Sequence, residues 1–594
     1  MHVLATAGHV DHGKSALVRA LTGMEPDRYA EERRRGLTLD LGFVWMTLPT
    51  GERVAFVDVP GHERFVTTML AGVGPVPAVL LVVAADGGWS AQTQEHLSIL
   101  DAWGVRAGLV VVTRCDLADP GELMDELPQW LAGTCLAEFP AVSCSSVTGQ
   151  GMDELRDALA LLVNAMPAPE VQAPTRLWID RVFTIRGAGT VVTGTLAAGR
   201  IAVGDELVVP SSRHTVTVRG LQTLNEQVST VEGVARVAIN LRGVTVDELV
   251  RGDALLTRGA WAVTDTLDVV LSDVGQGLAA EMTMHIGAGA IPARTRRLGD
   301  RGVRLSLRTP AAVAYGDRIL LRDPGSRRVV GGDVVDPLPT PLPRRRGAAL
   351  RRGDELAQMA ISPDPDAELE RRGIERRDIF ITLGVGLPKT EAIEGWLVAP
   401  RTRSELSRRI GQLAAEHRRL HPLDAGMAAG AVSRTLGLPD PRVLPALLQP
   451  PWKLVGGRVT AAETSTETLP GPIKTAIDAV RNRLADNPFD APTPAELAAL
   501  ELTSEALAAA VRAGQLISIG GGVFLTPEAP AAAAVALGAL DQPFSTSRAR
   551  TALQTSRRVV LALLLWLDAT GVTRRLPDDR RELCRRPDQS PLSN

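Results

Sequence analysis

The chain has 594 residues, too many for one hydrophobic core, and ordinary domain sizes divide it into roughly three to six folding units. Hydrophobic residues make up 45% and charged residues 22%, the balance of a water-soluble globular protein, and a net charge of −3 excludes a simple polycation. Nucleic-acid contacts, if made, have to come from local basic patches. The four cysteines, Cys115, Cys135, Cys144 and Cys584, have no CxxC spacing, which argues against zinc and against a disulfide framework. The opening MHVLATAGHVDHG lacks the basic and long apolar regions of a signal peptide. The apolar runs 78–85 and 559–567 are shorter than the about 20 residues that span a bilayer. The expectation is a cytoplasmic, monomeric protein with no membrane partner.

Taken in chain order, apolar runs at 3–7, 54–57, 79–84 and 109–113 alternate with helical patterns, which predicts a parallel sheet with helices on both faces over residues 1–167. After a proline-bearing linker the pattern changes to short alternating strands with glycine turns. These read as two β-barrels, 175–258 and 260–340. Beyond a Pro- and Arg-rich linker at 337–346 the chain is mainly Ala/Leu/Arg helix. Glycine turns flanked by apolar residues at 452–460 and 517–525 suggest helices followed by short hairpins, the pattern of small winged-helix modules. The fold class is therefore multidomain: an α/β domain, two β-barrels and a mainly α array of winged-helix modules.

Gly8-His-Val-Asp-His-Gly-Lys-Ser15 fits GxxxxGK[ST] between the first strand and a helix opening at Ser15. Glycines let such a loop curl its N–H groups toward phosphate oxygens, and the helix N-terminus adds the positive end of its dipole. The nucleotide-binding set here is Asp11, His12, Gly13, Lys14, Ser15 and Ala16, with Lys14 reaching the β- and γ-phosphates and Ser15 ligating Mg²⁺. Asp58-Val-Pro-Gly61 follows the second strand, where Asp58 can hold the metal through water and the Gly61 N–H can sense a γ-phosphate. Thr38 is the natural second hydroxyl for Mg²⁺, against the plainer reading of a turn or N-cap residue. His62 stands where a side chain could orient the attacking water, the one catalytic role assigned.

Guanine selectivity needs a carboxylate facing the base's N1 and N2 donors, and Asp116 in Thr113-Arg-Cys-Asp116 fits. The common motif there is Asn-Lys-x-Asp, so Thr113 and Arg114 depart from it. The stem and planar head of Arg114 can still lie along the base. Ser145 and Ser146, in Ser145-Ser-Val-Thr-Gly149, supply the last loop, with Ser143 as an alternative register.

The histidine-rich loop at Gly8, Asp58-Val-Pro-Gly-His-Glu63 and Arg181-Val-Phe-Thr-Ile-Arg-Gly-Ala-Gly-Thr-Val-Val-Thr-Gly194 resemble translational GTPases of the elongation factor Tu type. The short segment Arg35-Gly-Leu-Thr-Leu-Asp-Leu-Gly-Phe-Val-Trp45 and the long C-terminal half resemble the bacterial selenocysteine-specific elongation factors among them. That resemblance implies GTP and Mg²⁺ as cofactors, and selenocysteinyl-tRNA, an mRNA hairpin and the ribosome as partners. It also implies four winged-helix modules, expected at 347–402, 403–463, 468–527 and 530–590, the last binding RNA. The alternatives are another tRNA-carrying translational GTPase, or an RNA-tethered GTP switch that carries no amino acid.

The resemblance places the aminoacyl pocket at Asp180, Arg181, Phe183 and Arg236. A selenol is more acidic than a thiol, so its anion dominates near neutral pH. Two guanidiniums favour that anion and leave serine's hydroxyl without a charge to pair; the plainer reading is solvated barrel arginines. In the tail, Ser556 is expected to cap a helix with Arg557 and Arg558 in its first turn, and Arg574 and Arg575 fall near a hairpin wing. Few acids offset these arginines in sequence. They are the expected RNA-binding residues, against the plainer reading of a solvated face.

Overall fold

The computed structural model describes residues 1–26, 38, 40–187, 189–273, 277–342, 347–359, 362–461 and 469–584. Of the segment from Arg35 to Trp45, Arg35 to Leu37 and Leu39 lie outside the described residues. The chain divides into two compact units, Met1–Glu368 with Arg376–Lys389, and Leu369–Glu375 with Thr390–Asn594.

In the first unit a six-stranded sheet has the order β2-β3-β1-β4-β5-β6. The strands are β1 (His2–Ala7), β2 (Gly42–Thr47), β3 (Arg53–Asp58), β4 (Ala78–Ala84), β5 (Gly108–Thr113) and β6 (Ala141–Ser143). Every residue of β4 and β5 is buried, because helices cover both faces and a strand so placed needs an unbroken apolar run. Alternate residues serve opposite cores: Val3 and Ala5 pack with Leu97 and Leu100, while Leu4 packs with Leu17 and Leu155. The sheet is mixed rather than purely parallel. β2 runs antiparallel to β3, from Gly42 beside Asp58 to Thr47 beside Arg53, since the short 48–52 turn can only make a hairpin. The strands β1, β3, β4, β5 and β6 are parallel, so their C-terminal ends, which carry the motifs, share one edge.

Two barrels follow. The first contains β7 (Arg176–Ile185), β8 (Gly189–Leu196), β9 (Arg200–Ala202), β10 (Glu206–Val208), β11 (Thr215–Thr223), β12 (Glu226–Val228), β13 (Thr230–Glu232), β14 (Ala235–Arg242) and β15 (Ala254–Leu256). Its main sheet runs β10-β15-β7-β8-β14-β11-β12, and β10 also pairs with β11, which closes the ring. The second is a closed barrel of order β16-β19-β18-β17-β20-β21. Its strands are β16 (Ala262–Leu271), β17 (Glu281–Ile286), β18 (Gly289–Leu298), β19 (Gly302–Val313), β20 (Arg318–Arg322) and β21 (Val329–Asp336). Closure leaves few unpaired strand edges. Arg176 of β7 forms a bidentate ion pair with Asp317 at 2.6 Å and lies 4.3 Å over the Trp261 ring, joining the barrels. Arg318 Nε donates to the Ala102 carbonyl at 2.9 Å, which ties the second barrel to helix Ala91–Trp103 beside the six-stranded sheet.

Helix Ala348–Gln358 was expected to open the first winged-helix module, but it packs on the second barrel. The reason is a buried charge cluster. Arg352 reaches Asp268 at 2.9 Å and Asp336 at 2.6 Å, and Arg304 holds the same Asp268 at 2.6 Å. Both aspartates are 0% exposed, so neither carboxylate is tolerable without the arginines.

In the second unit, helices followed by a two-stranded hairpin recur, with hairpins Trp452–Val455/Arg458–Ala461, Ile517–Ser518/Phe524–Leu525 and Thr573–Arg575/Arg581–Leu583. Residues from Leu469 to Leu567 share one hydrophobic core, so these last repeats stabilise each other rather than standing as separate beads. Among the described residues no helix is long and apolar enough to cross a membrane.

Candidate functional site

Gly8 follows β1 with φ +130, and a Cβ there would lie 2.1 Å from the Val82 carbonyl oxygen, so only glycine lets the loop leave the sheet at this point. Its N–H donates to Nδ1 of His96 at 2.9 Å. His96 is fully buried in helix Ala91–Trp103, and burial, with Lys14 close by, lowers its pKa to about 3, so it stays neutral and accepting. His12 is also buried and lowered to about 4, first by desolvation and then by His9. Lys14 Nζ donates to the loop carbonyls of Gly8 at 2.9 Å and His9 at 2.7 Å, and burial lowers its pKa to about 8. Gly61 comes against the same group: a Cβ there would stand 2.5 Å from Lys14 Nζ and 2.7 Å from Val10 N. The residue expected to sense a γ-phosphate therefore touches the phosphate loop. Asp11 is exposed with φ 62, and Gly13 precedes the helix Lys14–Thr22, in which Ser15 and Ala16 are half-buried.

Ser15, Thr38 and Asp58 meet. Ser15 Oγ donates to Asp58 Oδ2 at 2.6 Å and lies 2.9 Å from Thr38 Oγ1. The other oxygen of Asp58 accepts from Thr6 Oγ1 at 2.8 Å, and Thr6 in turn accepts from Val59 N at 3.1 Å. Thr6, unnoticed in the sequence, thus orients the carboxylate. Hard oxygen donors gathered at one point fit Mg²⁺. His62 opens the turn Glu63–Phe65, and its Nδ1 accepts from Arg64 N at 3.2 Å. Its ring packs edge-on against Phe65, at 6.1 Å between centroids.

At the base end, Asp116 Oδ1 accepts from Ser145 Oγ at 2.6 Å, and Ser145 Oγ also accepts from Val147 N and Thr148 N. Ser145 rather than Ser143 is therefore the serine bonded to the candidate guanine-reading carboxylate, because Ser143 still belongs to β6. Ser146 follows, half-buried. Thr113 turns inward and donates to the His12 carbonyl at 2.7 Å, a brace between base loop and phosphate loop. Arg114 has φ 58 and pairs with Asp86 at 3.1 Å.

Between β2 and the first barrel lies a cavity of about 310 Å³ whose lining includes Phe43, Arg181, Phe183, Thr193 and Arg236. Asp180 is not in the lining; it holds Arg236 bidentately, with Nη2 to Oδ1 at 2.7 Å, and accepts from Thr193 Oγ1 at 2.8 Å. Arg181 Nε is 3.3 Å from Asp40 Oδ2, and its Nη2 donates to the Leu41 carbonyl. Both guanidiniums lie over the Phe43 ring, at 3.7 Å for Arg236 and 4.8 Å for Arg181. The two guanidiniums expected at the pocket both have carboxylate partners. Arg181, Arg236 and Arg251 share the carboxylates of Asp40 and Asp180, which leaves one positive charge among these five groups.

Family models match the chain as "Elongation factor Tu GTP binding domain" over residues 1–165, "Elongation factor Tu domain 2" over 189–256, and "Elongation factor SelB, winged helix" over 536–581. A solved bacterial selenocysteine-specific elongation factor shares the fold, with a TM-score of 0.75 at 24% identity over 98% of this chain and 100% of that one. The selenocysteine-specific elongation factor of Desulfomicrobium baculatum is 38% identical over 57% of this chain and 56% of its own length. The chain thus spans little more than half of that relative. The selenocysteine-specific elongation factor of Methanocaldococcus jannaschii is 31% identical over 55% of this chain and 78% of its own length. The chain belongs to the selenocysteine-specific elongation factor family.

For a member of this family the C-terminal hairpin region is of special interest. Ser556 caps helix Arg557–Ala569, accepting from Val559 N at 3.3 Å. Arg557 is exposed in the first turn. Arg558 instead folds back onto the carbonyls of Ala491 at 3.0 Å and Pro492 at 2.9 Å, inside the unit. Arg574 pairs with Glu582 across the hairpin and Arg575 with Asp579, yet their side chains remain 68% and 55% exposed. Arg548, Arg580 and Arg581 also have aspartate partners, so the tail's positive charge is more compensated than the sequence count suggested. Phe544 is fully buried and cannot stack on a base.

Sequence reasoning missed Thr6, Asp40, Phe43, His96 and Arg251. His96 follows an apolar stripe with Thr93, Leu97 and Leu100, the pattern of an ordinary core residue. Phe43 and Asp40 carry no motif of their own; only their nearness to Thr38 in sequence could have drawn notice.

Proposed function

We propose that this chain binds GTP and Mg²⁺, carries selenocysteinyl-tRNA to the ribosome at UGA codons marked by an mRNA hairpin, and releases the tRNA when GTP is hydrolysed. The observation that carries this is the pairing of two sites: the oxygens of Ser15, Thr38 and Asp58 meet, and a few residues along the chain Asp40, Leu41 and Phe43 hold the arginines of a cavity on the first barrel.

In this reading Ser15, Thr38 and Asp58 would hold the metal, which when bound would neutralise phosphate charge. Loop N–H groups and Lys14 hold the phosphates, and Asp116, positioned by Ser145, reads the guanine edge. Nδ1 of His62 accepts from Arg64 N–H, which leaves Nε2 to orient the attacking water. The single net positive charge of the arginine cluster favours one selenolate over a neutral serine hydroxyl. The last hairpin and the exposed Arg557 contact the RNA backbone. The work is done in the cytoplasm.

The test is retention of cellular RNA on the full chain loaded with a non-hydrolysable GTP analogue or with GDP. Selenocysteine tRNA should be enriched with the analogue and lost with GDP. Enrichment of bulk tRNA, or of no tRNA, overturns the reading.

A further inference from the structure

Thr38 and Asp40 are two residues apart and serve different sites. Thr38 is 8% exposed, and its hydroxyl lies against Ser15, which in turn holds Asp58. Asp40 reaches across to the first barrel, where Oδ2 lies 3.3 Å from Arg181 Nε and Oδ1 lies 3.4 Å from Arg251 Nη1. The next carbonyl, Leu41, accepts from Arg181. Then β2 begins, and its Phe43 ring supports both Arg181 and Arg236. Two residues of chain reach at most about 7 Å, so Thr38 cannot be carried farther than that from Asp40 without taking it along.

We infer that Asp40 is a positioning residue that transmits the state of the nucleotide site to the cargo cavity, by holding Arg181 and Arg251 only while Thr38 is docked at Ser15 and Asp58. This rests on the proposed function and deepens it. With Asp40 engaged, Arg181 is pinned against Phe43 with its head at the cavity. Withdrawal of Asp40 leaves two guanidiniums without that carboxylate beside Arg236, so the arrangement that suits one anion is lost. A ligand can shift such an equilibrium only by its differential affinity for the two states, and Asp40 supplies the differential contact. Arg251 makes the device stronger than a single ion pair, because one carboxylate holds both Arg181 in β7 and Arg251 in the turn before β15.

The test uses the full chain as parent, Asp40→Asn, Asp40→Glu and Arg251→Ala, each bound to β,γ-imido GTP or GDP. Amide hydrogen exchange is read over 176–185 and 235–242. The parent should show protection in the imido-GTP form that falls in the GDP form. Asp40→Asn should erase this difference, Arg251→Ala should reduce it, and Asp40→Glu should restore part of it. All four proteins should bind GDP with the same affinity, which separates the effect from misfolding, while imido-GTP binding should weaken in Asp40→Asn, as reciprocal coupling requires. The ratio of selenocysteinyl-tRNA affinities between the two forms should fall about tenfold in Asp40→Asn. An exchange difference absent from the parent, or unchanged in Asp40→Asn, overturns the inference. If the exchange difference is erased as expected but no form of the parent binds selenocysteinyl-tRNA, the coupling stands and the cargo assignment fails.

Discussion

Replacing Arg236 with alanine should loosen the first barrel as well as empty the cavity of a charge. Arg236 is 11% exposed and its partner Asp180 only 3%, so the substitution strands a carboxylate away from water. Removing one partner of a buried ion pair costs about 3–5 kcal/mol. Thr193 Oγ1 still donates to Asp180 at 2.8 Å, which puts the expected loss at the lower end, about 3 kcal/mol. A cation–π contact with Phe43 goes as well, worth about 0.5–1 kcal/mol. Adding Asp180→Asn removes the stranded charge, so the double variant should recover at least about 1 kcal/mol. The assay is native-state hydrogen exchange in rising urea, read on β7, β8 and β14, so that the loss is assigned to this barrel and not to the rest of the chain. Nucleotide affinity should be unchanged, while selenocysteinyl-tRNA binding should weaken in both variants. A single variant within about 0.5 kcal/mol of the parent, or a double variant no better than the single, refutes the view that Arg236 and Asp180 form one buried unit.

The same logic applies to Arg352, whose loss leaves Asp268 with Arg304 alone and Asp336 without its arginine contact; Arg352→Ala should cost about 3 kcal/mol or more, read as a lowered urea midpoint for the second barrel. His12 and His96 titrate at about 4 and about 3 when folded, below their ordinary 6.5, so unfolding takes up protons below pH 6.5. Stability is therefore complete above pH 6.5 and should fall as the pH drops, by up to about 1.4 kcal/mol per pH unit for each histidine. Thermal unfolding of the parent and of His96→Gln between pH 7 and pH 5 checks this, and the variant should show the shallower dependence. In the tail, Arg557→Ala should weaken hairpin binding and lower its salt dependence with little change in stability, whereas Arg558→Ala should destabilise the unit through the lost carbonyl contacts. Equal effects of the two on melting temperature would contradict the structure.

The phosphate loop was legible in the sequence because its chemistry is local. Glycines at fixed spacing, a lysine and a serine between a strand and a helix form a compact local pattern, and the structure puts Lys14 against Gly61 and Ser15 against Asp58. The alternation of apolar runs likewise gave the sheet, and the change to short strands gave the barrels, because side-chain period is a property of the chain itself. Sequence by itself also placed arginines at 181, 236, 557, 558, 574 and 575. It could not say what each one does. Charge partners are chosen in space: Asp180 lies 56 residues from Arg236, and Asp268 lies 84 from Arg352. Only the tertiary structure decided that Arg558 braces its own unit while Arg557 stays exposed, and that helix Ala348–Gln358 belongs to the barrel. The same is true of Asp40, which stands beside Thr38 in the chain and beside Arg181 only after the first barrel has docked. A buried charge must find its partner across the fold, and that pairing is set by how the strands are arranged rather than by which residues are neighbours in the chain.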